Sequence, residues 1–243
     1  MSIRLVVAKY NEDISWINKI KNHKITVYDK SENPLKDTIK LPNVGREGHT
    51  FLYHIVENYD NLDDITVFLQ GNPFEHIQVI MGWQYFGLPN APYPKPLTSE
   101  QLNNMCYKID NEIHKDTELS AFYQVIYNVP FYTNSGNVNK HLSEILNENL
   151  NNESYTSIPG AQLIVPKKYI LNRTKEVWKK ALDLLSENEK WRGYSHEISW
   201  FYLFTNTIGN FGNHDAEKYK LDTLKNYGFH HSPNSWKKLI CDK

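Results

Sequence analysis

The sequence predicts an α/β fold, one domain in which a mixed, mainly parallel sheet is flanked by helices. Three observations predict it. Short β-branched runs at residues 3–9, 24–28 and 65–69 read as buried strands, amphipathic or turn-like stretches separate them, and each run stops in polar residues. With 243 residues and 40% apolar content the chain can bury one substantial core, so a single domain over 1–243 is favoured over two small ones.

The first run, IRLVVAK, suits a central strand and ends at Tyr10-Asn11-Glu12-Asp13. A helix is expected next, because Ile14, Ile17 and Ile20 recur at helical spacing and Asp13 or Asn11 can cap its first turn. KITVY (24–28) is the second strand, running into Asp29. Strand, turn, helix and strand make the opening half of a nucleotide-binding unit, since a right-handed crossover leaves both carboxyl ends on one edge. An acid there can accept hydrogen bonds from a ribose or base. No GxGxxG follows the first strand, which disfavours a dinucleotide Rossmann site.

Residues 41–76 contain the densest set of signals. Gly45 and Gly48 flank Arg46-Glu47, and Leu52, Ile55, Val56 and Tyr59 form the buried stripe of a helix. ITVFL (65–69) is the third strand, stopped by Gln70-Gly71-Asn72-Pro73. Four prolines between 88 and 97 exclude regular structure there, and 88–120 reads as an insertion or loop excursion. A helix is expected over 99–116, a strand over 121–129, an exposed Asn-rich loop over 147–157 and a strand over 161–165. A helix over 174–186 turns Val177, Trp178, Ala181, Leu182 and Leu185 inward. The last helix is expected to start near Ser195, apolar on nearly all sides, with Glu197 in its first turn; 206–243 is a C-terminal extension.

Composition narrows the function. A net charge of −1 gives no global field for nucleic acid or an anionic membrane. Cys106 and Cys241 make neither a metal spacing nor a disulfide framework, which fits a reducing compartment, and cytoplasm is expected. No apolar run is long enough to span a bilayer. GxSxG, Walker A and CxxC motifs are absent, so covalent catalysis has no support.

A carboxylate in a buried helix costs several kcal/mol unless paired, so Glu197 is either a general base or a cap or ion-pair partner. Arg46 beside two glycines suits a phosphate, or locks the loop to Glu47 or Asp29. His76, His196, His230 and His231 form no familiar metal-ligand spacing, and each is a ligand, an acid–base group or a structural side chain.

The blocks VVAKYNEDISWI, VYDKS, LPNVGREGHTFLYHI, VFLQGNPFEH, GAQLIVPKKYI and HEISWFYLF, in that order from Leu5 to about Phe204, resemble the family of domain of unknown function 3431. More distantly, they resemble the GT-A glycosyltransferases, the nucleotide-diphospho-sugar transferase type. That second resemblance implies a nucleotide held by Ala8, Tyr10, Asn11, Glu12, Asp29, Asn43, Gly45 and Arg46. It places Gln70 and Asn72 on the donor sugar, and Gly160, Gln162, His76 and His196 near sugar or acceptor. It makes Glu197 the base that deprotonates the acceptor, with His230 or His231 in the place of a C-terminal histidine.

GT-A enzymes end this third strand in a DxD motif that holds Mn²⁺ or Mg²⁺, whereas Gln70-Gly71-Asn72 stands here. Neutral amides are poor ligands for a hard cation, so no metal residue is assigned and no resident cofactor is expected beyond the nucleotide sugar as co-substrate. The expected function is transfer of a sugar from a nucleotide-sugar donor to a glycan or protein acceptor. The alternatives are a non-catalytic carbohydrate- or nucleotide-binding module, and a hydrolase in which Glu197 and His76 converge.

Overall fold

The computed structural model describes residues 1–73, 99–117, 119–121, 126–130, 137–150, 154–157 and 162–205. The proline-rich segment 88–97, His76, Gly160, His230, His231 and the extension 206–243 lie outside the described residues. Strand β1 (Ile3–Lys9) is central, because Leu5, Val6 and Val7 are fully buried on both sheet faces. Burial of each such side chain contributes roughly 1.5–3 kcal/mol. After β1 comes a 3₁₀ turn, Ser15–Lys19, in place of the expected α-helix. The spacing of Ile14, Ile17 and Ile20 is three residues, the 3₁₀ period, and Asp13 starts the turn by accepting from the Ser15 amide at 2.8 Å.

Strand β2 (Lys24–Asp29) lies parallel to β1, and a two-residue β3 (Ile39–Lys40) pairs parallel with its end. Helix α1 (Arg46–Asn58) buries Phe51, Leu52, Ile55 and Val56 and leads to β4 (Ile65–Gln70), which pairs parallel with the other side of β1. Helix α2 (Ser99–Asn111) is shorter than expected. The strand expected over 121–129 is split: β5 (Ser120–Ala121) joins the main sheet, and β6 (Ile126–Pro130) pairs antiparallel with β7 (Ser154–Ser157). The Asn-rich loop therefore contains a strand, supplied by the β-favouring Tyr155 and Thr156.

Helix α3 (Val138–Leu146) is capped by Asn137, whose side chain accepts from the Lys140 amide at 2.8 Å. Strand β8 (Leu163–Pro166), the short α4 (Lys167–Ile170), α5 (Lys175–Ser186) and α6 (Lys190–Thr205) complete the described chain. Helix α6 begins five residues before Ser195. Its charged first turn and Gly193 look like loop in sequence, but Gly193 is the seat of the Arg46 stem, whose Cδ would lie 3.2 Å from an added Cβ.

The main sheet has six strands in the order β3-β2-β1-β4-β8-β5, with β8 antiparallel to both neighbours. Val6, Ala8, Tyr28 and Phe68 share a core with α1, α5 and α6. Leu5, Val7, Val67 and Leu69 face the 3₁₀ turn and α2. The result is an α/β fold with a mixed sheet covered on both faces.

Candidate functional site

Strand order reverses between β1 and β4, since β2 and β3 lie to one side of β1 and β4 to the other. Open α/β sheets bind ligands at the carboxyl edge of such a switch point. The strand ends are level there: Lys9 is opposite Asp29, and Ala8 opposite Gln70. The Gly71 amide donates to the Ala8 carbonyl at 2.7 Å, and the Trp16 indole donates to the Gly71 carbonyl at 2.9 Å. The Tyr10 amide donates to Glu12 Oε2 at 2.6 Å, and a Cβ on Gly71 would sit 2.7 Å from that oxygen. Tyr10, Glu12, Gln70 and Gly71 are thus brought together, with Tyr10 exposed. Ala8 is buried and joins through its carbonyl.

Gln162 reaches the same edge from the start of β8. Its Oε1 accepts from the Gln70 amide at 3.1 Å. Its side chain is fully buried, and its Nε2 has no hydrogen-bond partner among the described residues.

Beside β1 an open groove of about 650 Å³ runs between the 3₁₀ turn and residues 35–38. Ile14, Ile17, Ile25 and Val27 give it an apolar floor, while Asn11, Glu12, Lys36 and Asp37 are among the polar groups along it. Its size is that of a small-ligand pocket, and an apolar floor under a largely polar rim suits a planar, partly polar ligand.

Asp29 is fully buried behind this groove and already saturated. Its carboxylate accepts from the Ser31 amide at 2.9 Å, the Ser31 hydroxyl at 2.6 Å and the Leu35 amide at 3.0 Å, and pairs with Lys9 Nζ at 3.0 Å. Burial would raise its pKa, but Ser31, Leu35 and Lys9 outweigh that and hold it at about 2. The acid expected to meet a ribose or base therefore shapes the loop that walls the groove.

The glycine loop sits at the N-terminus of α1. Asn43 is exposed, while Gly45 and Arg46 both have left-handed backbone, at φ +58° and +54°. A Cβ on Gly45 would lie 2.9 Å from the Leu185 carbonyl oxygen, so the approach of α1 to α5 requires glycine. Buried Lys30 donates to the Val44 carbonyl at 2.7 Å and to the Arg46 carbonyl. The Arg46 guanidinium lies 4.8 Å over the Tyr194 ring, and its Nε is 3.8 Å from Glu47.

Helix α6 alters the reading of its two candidates. Glu197 is not in a first turn but in the third, and it is half-buried rather than enclosed. The N-terminal dipole therefore does not stabilise it. It shares a helix face with Gly193 and Tyr194, one turn from the Arg46 stack. His196 is fully buried, with Nδ1 at 3.0 Å from His141 Nε2 and its ring 4.3 Å from that of Trp200. Burial drives its pKa far below the usual histidine range, so it is a neutral core residue rather than a sugar contact.

A family model described as a protein of unknown function (DUF3431) matches residues 5–218. The chain belongs to the DUF3431 family. No curated protein matches it.

In this DUF3431 chain the residues at the expected metal position do not fit a hard cation. Gln70 and Asn72 offer neutral amides, and the carboxylate beside Gly71, from Glu12, is engaged by the Tyr10 amide. Among the described residues, no group of three or more His, Cys, Asp or Glu side chains is placed to hold a metal ion, and no helix is long and apolar enough to cross a membrane. Lys9, Lys30, Tyr194 and residues 35–38 escaped the sequence reading. A lysine closing each of the first two apolar strands was the available signal.

Proposed function

We propose that this DUF3431 protein is a sugar-nucleotide-dependent glycosyltransferase that works without a DxD metal site. The observation that carries the reading is the switch point, where residues 10–12 and Gln70-Gly71 meet beside a groove of about 650 Å³. The nucleoside occupies the groove over Ile25 and Val27, with Asn11 at its rim. Arg46 neutralises the diphosphate, the role a metal plays in related folds, and the dipole at the α1 N-terminus adds to it. Tyr10, Gln70 and Asn72 surround the donor sugar, with the buried Gln162 holding the Gln70 backbone from behind.

Glu197 takes the proton of the acceptor hydroxyl as its oxygen bonds to the anomeric carbon and the nucleoside diphosphate departs with the electron pair. Its half-exposed place one turn from Arg46 favours access for an acceptor. The second reading is a non-catalytic binding module of the same fold, favoured by the amides at positions 70 and 72 and by the internal saturation of Asp29.

Calorimetry with a panel of sugar nucleotides, with and without Mn²⁺, and with free sugars tests both readings: silence toward every sugar nucleotide sinks the transferase, and silence toward free sugars as well sinks the carbohydrate- or nucleotide-binding module. Donor hydrolysis separates them. Activity in the wild type that disappears in Glu197→Gln supports the transferase, whereas binding without hydrolysis in either protein supports the module.

A further inference from the structure

Lys30 follows the last residue of β2, is buried, and makes no ion pair among the described residues. Its ammonium donates instead to two backbone carbonyls of the glycine loop, those of Val44 and Arg46. These carbonyls bracket Gly45, and the residue after it, Arg46, holds a left-handed backbone that a side-chain-bearing residue adopts only when its surroundings enforce it. The Arg46 side chain then runs over Gly193 to the Tyr194 ring.

We infer that Lys30 is a positioning residue: its protonated ammonium ties the loop of residues 43–46 shut and thereby fixes Arg46 against α6. The significance of Arg46 rests on the transferase reading, but the tie is a property of the ligand-free chain.

Burial pushes the Lys30 pKa down to about 8, opposed by the negative charge of Glu47. The other titratable group facing it from α1 is His49, which burial and the Lys30 charge push down to about 4, so it stays neutral near pH 8. On the strand side, Asp29 is engaged by Lys9. Below pH 8 Lys30 therefore makes charge-assisted bonds. Above it, a neutral amine donates weaker ones, and the tie loosens as pH rises.

Hydrogen exchange of the full chain without ligand, corrected for intrinsic rates, reads this out at one amide of the loop and one in the first turn of α1. Val44 donates to Pro42 and His49 donates to Gly45. Their protection is expected to fall roughly tenfold on going from pH 7 to 9.5. In Lys30→Met it should start low and show no step, while core amides of β1 stay protected in both proteins. Tryptic cleavage after Arg46, normalised to a small substrate at each pH, should rise in parallel. A flat wild-type profile, a step retained in Lys30→Met, or cleavage at Arg46 indifferent to pH would each overturn the inference. If Lys30→Met does not fold, the wild-type profiles decide alone. Because no sugar nucleotide is present, failure of the transferase reading leaves these outcomes untouched.

Discussion

Replacing Gly45 by alanine tests how tightly the site is built into the packing of α1 on α5. The new Cβ would lie 2.9 Å from the Leu185 carbonyl oxygen, 2.9 Å from His49 Cβ and 3.0 Å from Leu185 Cβ. All three are fixed by helix backbones, and relief from the Leu185 atoms requires α1 and α5 to part. Such overpacking costs about 1–3 kcal/mol, and a left-handed alanine costs about 1–2 kcal/mol more. The lost freedom of the unfolded chain returns about 0.4–1 kcal/mol, leaving a net loss of roughly 1–5 kcal/mol.

Gly71→Ala is the matched control. Its Cβ would come within 2.7 Å of Glu12 Oε2, the far end of a flexible side chain, and Gly71 has no left-handed backbone. Its cost should stay below about 1 kcal/mol. Urea denaturation measures both. A Gly45→Ala loss under about 1 kcal/mol, or an equal loss in the two variants, refutes the claim that backbone contact at the loop, rather than mere proximity, sets the cost.

Other perturbations have defined signs. Asp29→Asn leaves the buried Lys9 ammonium without its counter-charge, the Tyr10 carbonyl at 2.7 Å alone remaining from its present partners, and should cost about 3–5 kcal/mol by chemical denaturation; a loss under 1 kcal/mol would mean the pair is not what holds the loop. In the wild type the same carboxylate, at about 2 when folded, contributes stability that is complete above about pH 4 and disappears as pH falls through 2. His49 and His54 are pushed down to about 4 and His141 to about 3, and His196 is held well below the usual histidine range, all chiefly by burial. Their contribution is present above the unfolded value near 6.5 and is lost below it at about 1.4 kcal/mol per pH unit for each. The urea midpoint should therefore fall steeply between pH 7 and 5, and a constant midpoint contradicts their burial as neutral rings. Trp16→Phe removes the indole donor to Gly71 and should cost about 1 kcal/mol while weakening any ligand held at residues 70–72; unchanged binding would separate that turn from the site.

Strands β1, β2 and β4 and helix α1 were legible because their apolar residues follow the periods of strand and helix over enough length. The 3₁₀ turn was misread as an α-helix, since three isoleucines three apart fit both patterns over so short a span. The early start of α6 was hidden by Gly193, which helix propensity disfavours and which the Arg46 stem from another helix explains. At the site, the polar strand ends marked the right edge of the sheet. The occupation of Asp29 was not legible, because its partner Lys9 is twenty residues away and meets it only through strand pairing. The burial of His196 depends on His141 from α3, a contact that no local pattern encodes.

The pairing of Lys9 with Asp29 has a consequence for how the sheet finds its alignment. A slip of β1 against β2 by one residue would put the two charged side chains on opposite faces of the sheet and break the pair. Aliphatic side chains such as those of Val6, Val7 and Val27 discriminate weakly between neighbouring alignments, whereas two unpaired buried charges are prohibitive. The ion pair selects one alignment out of several, and only in that alignment do residues 10–12, which follow β1, face residues 35–38, which follow β2, across the groove. Folding to the correct pairing and assembling the pocket are therefore one event, decided by one pair of opposite charges.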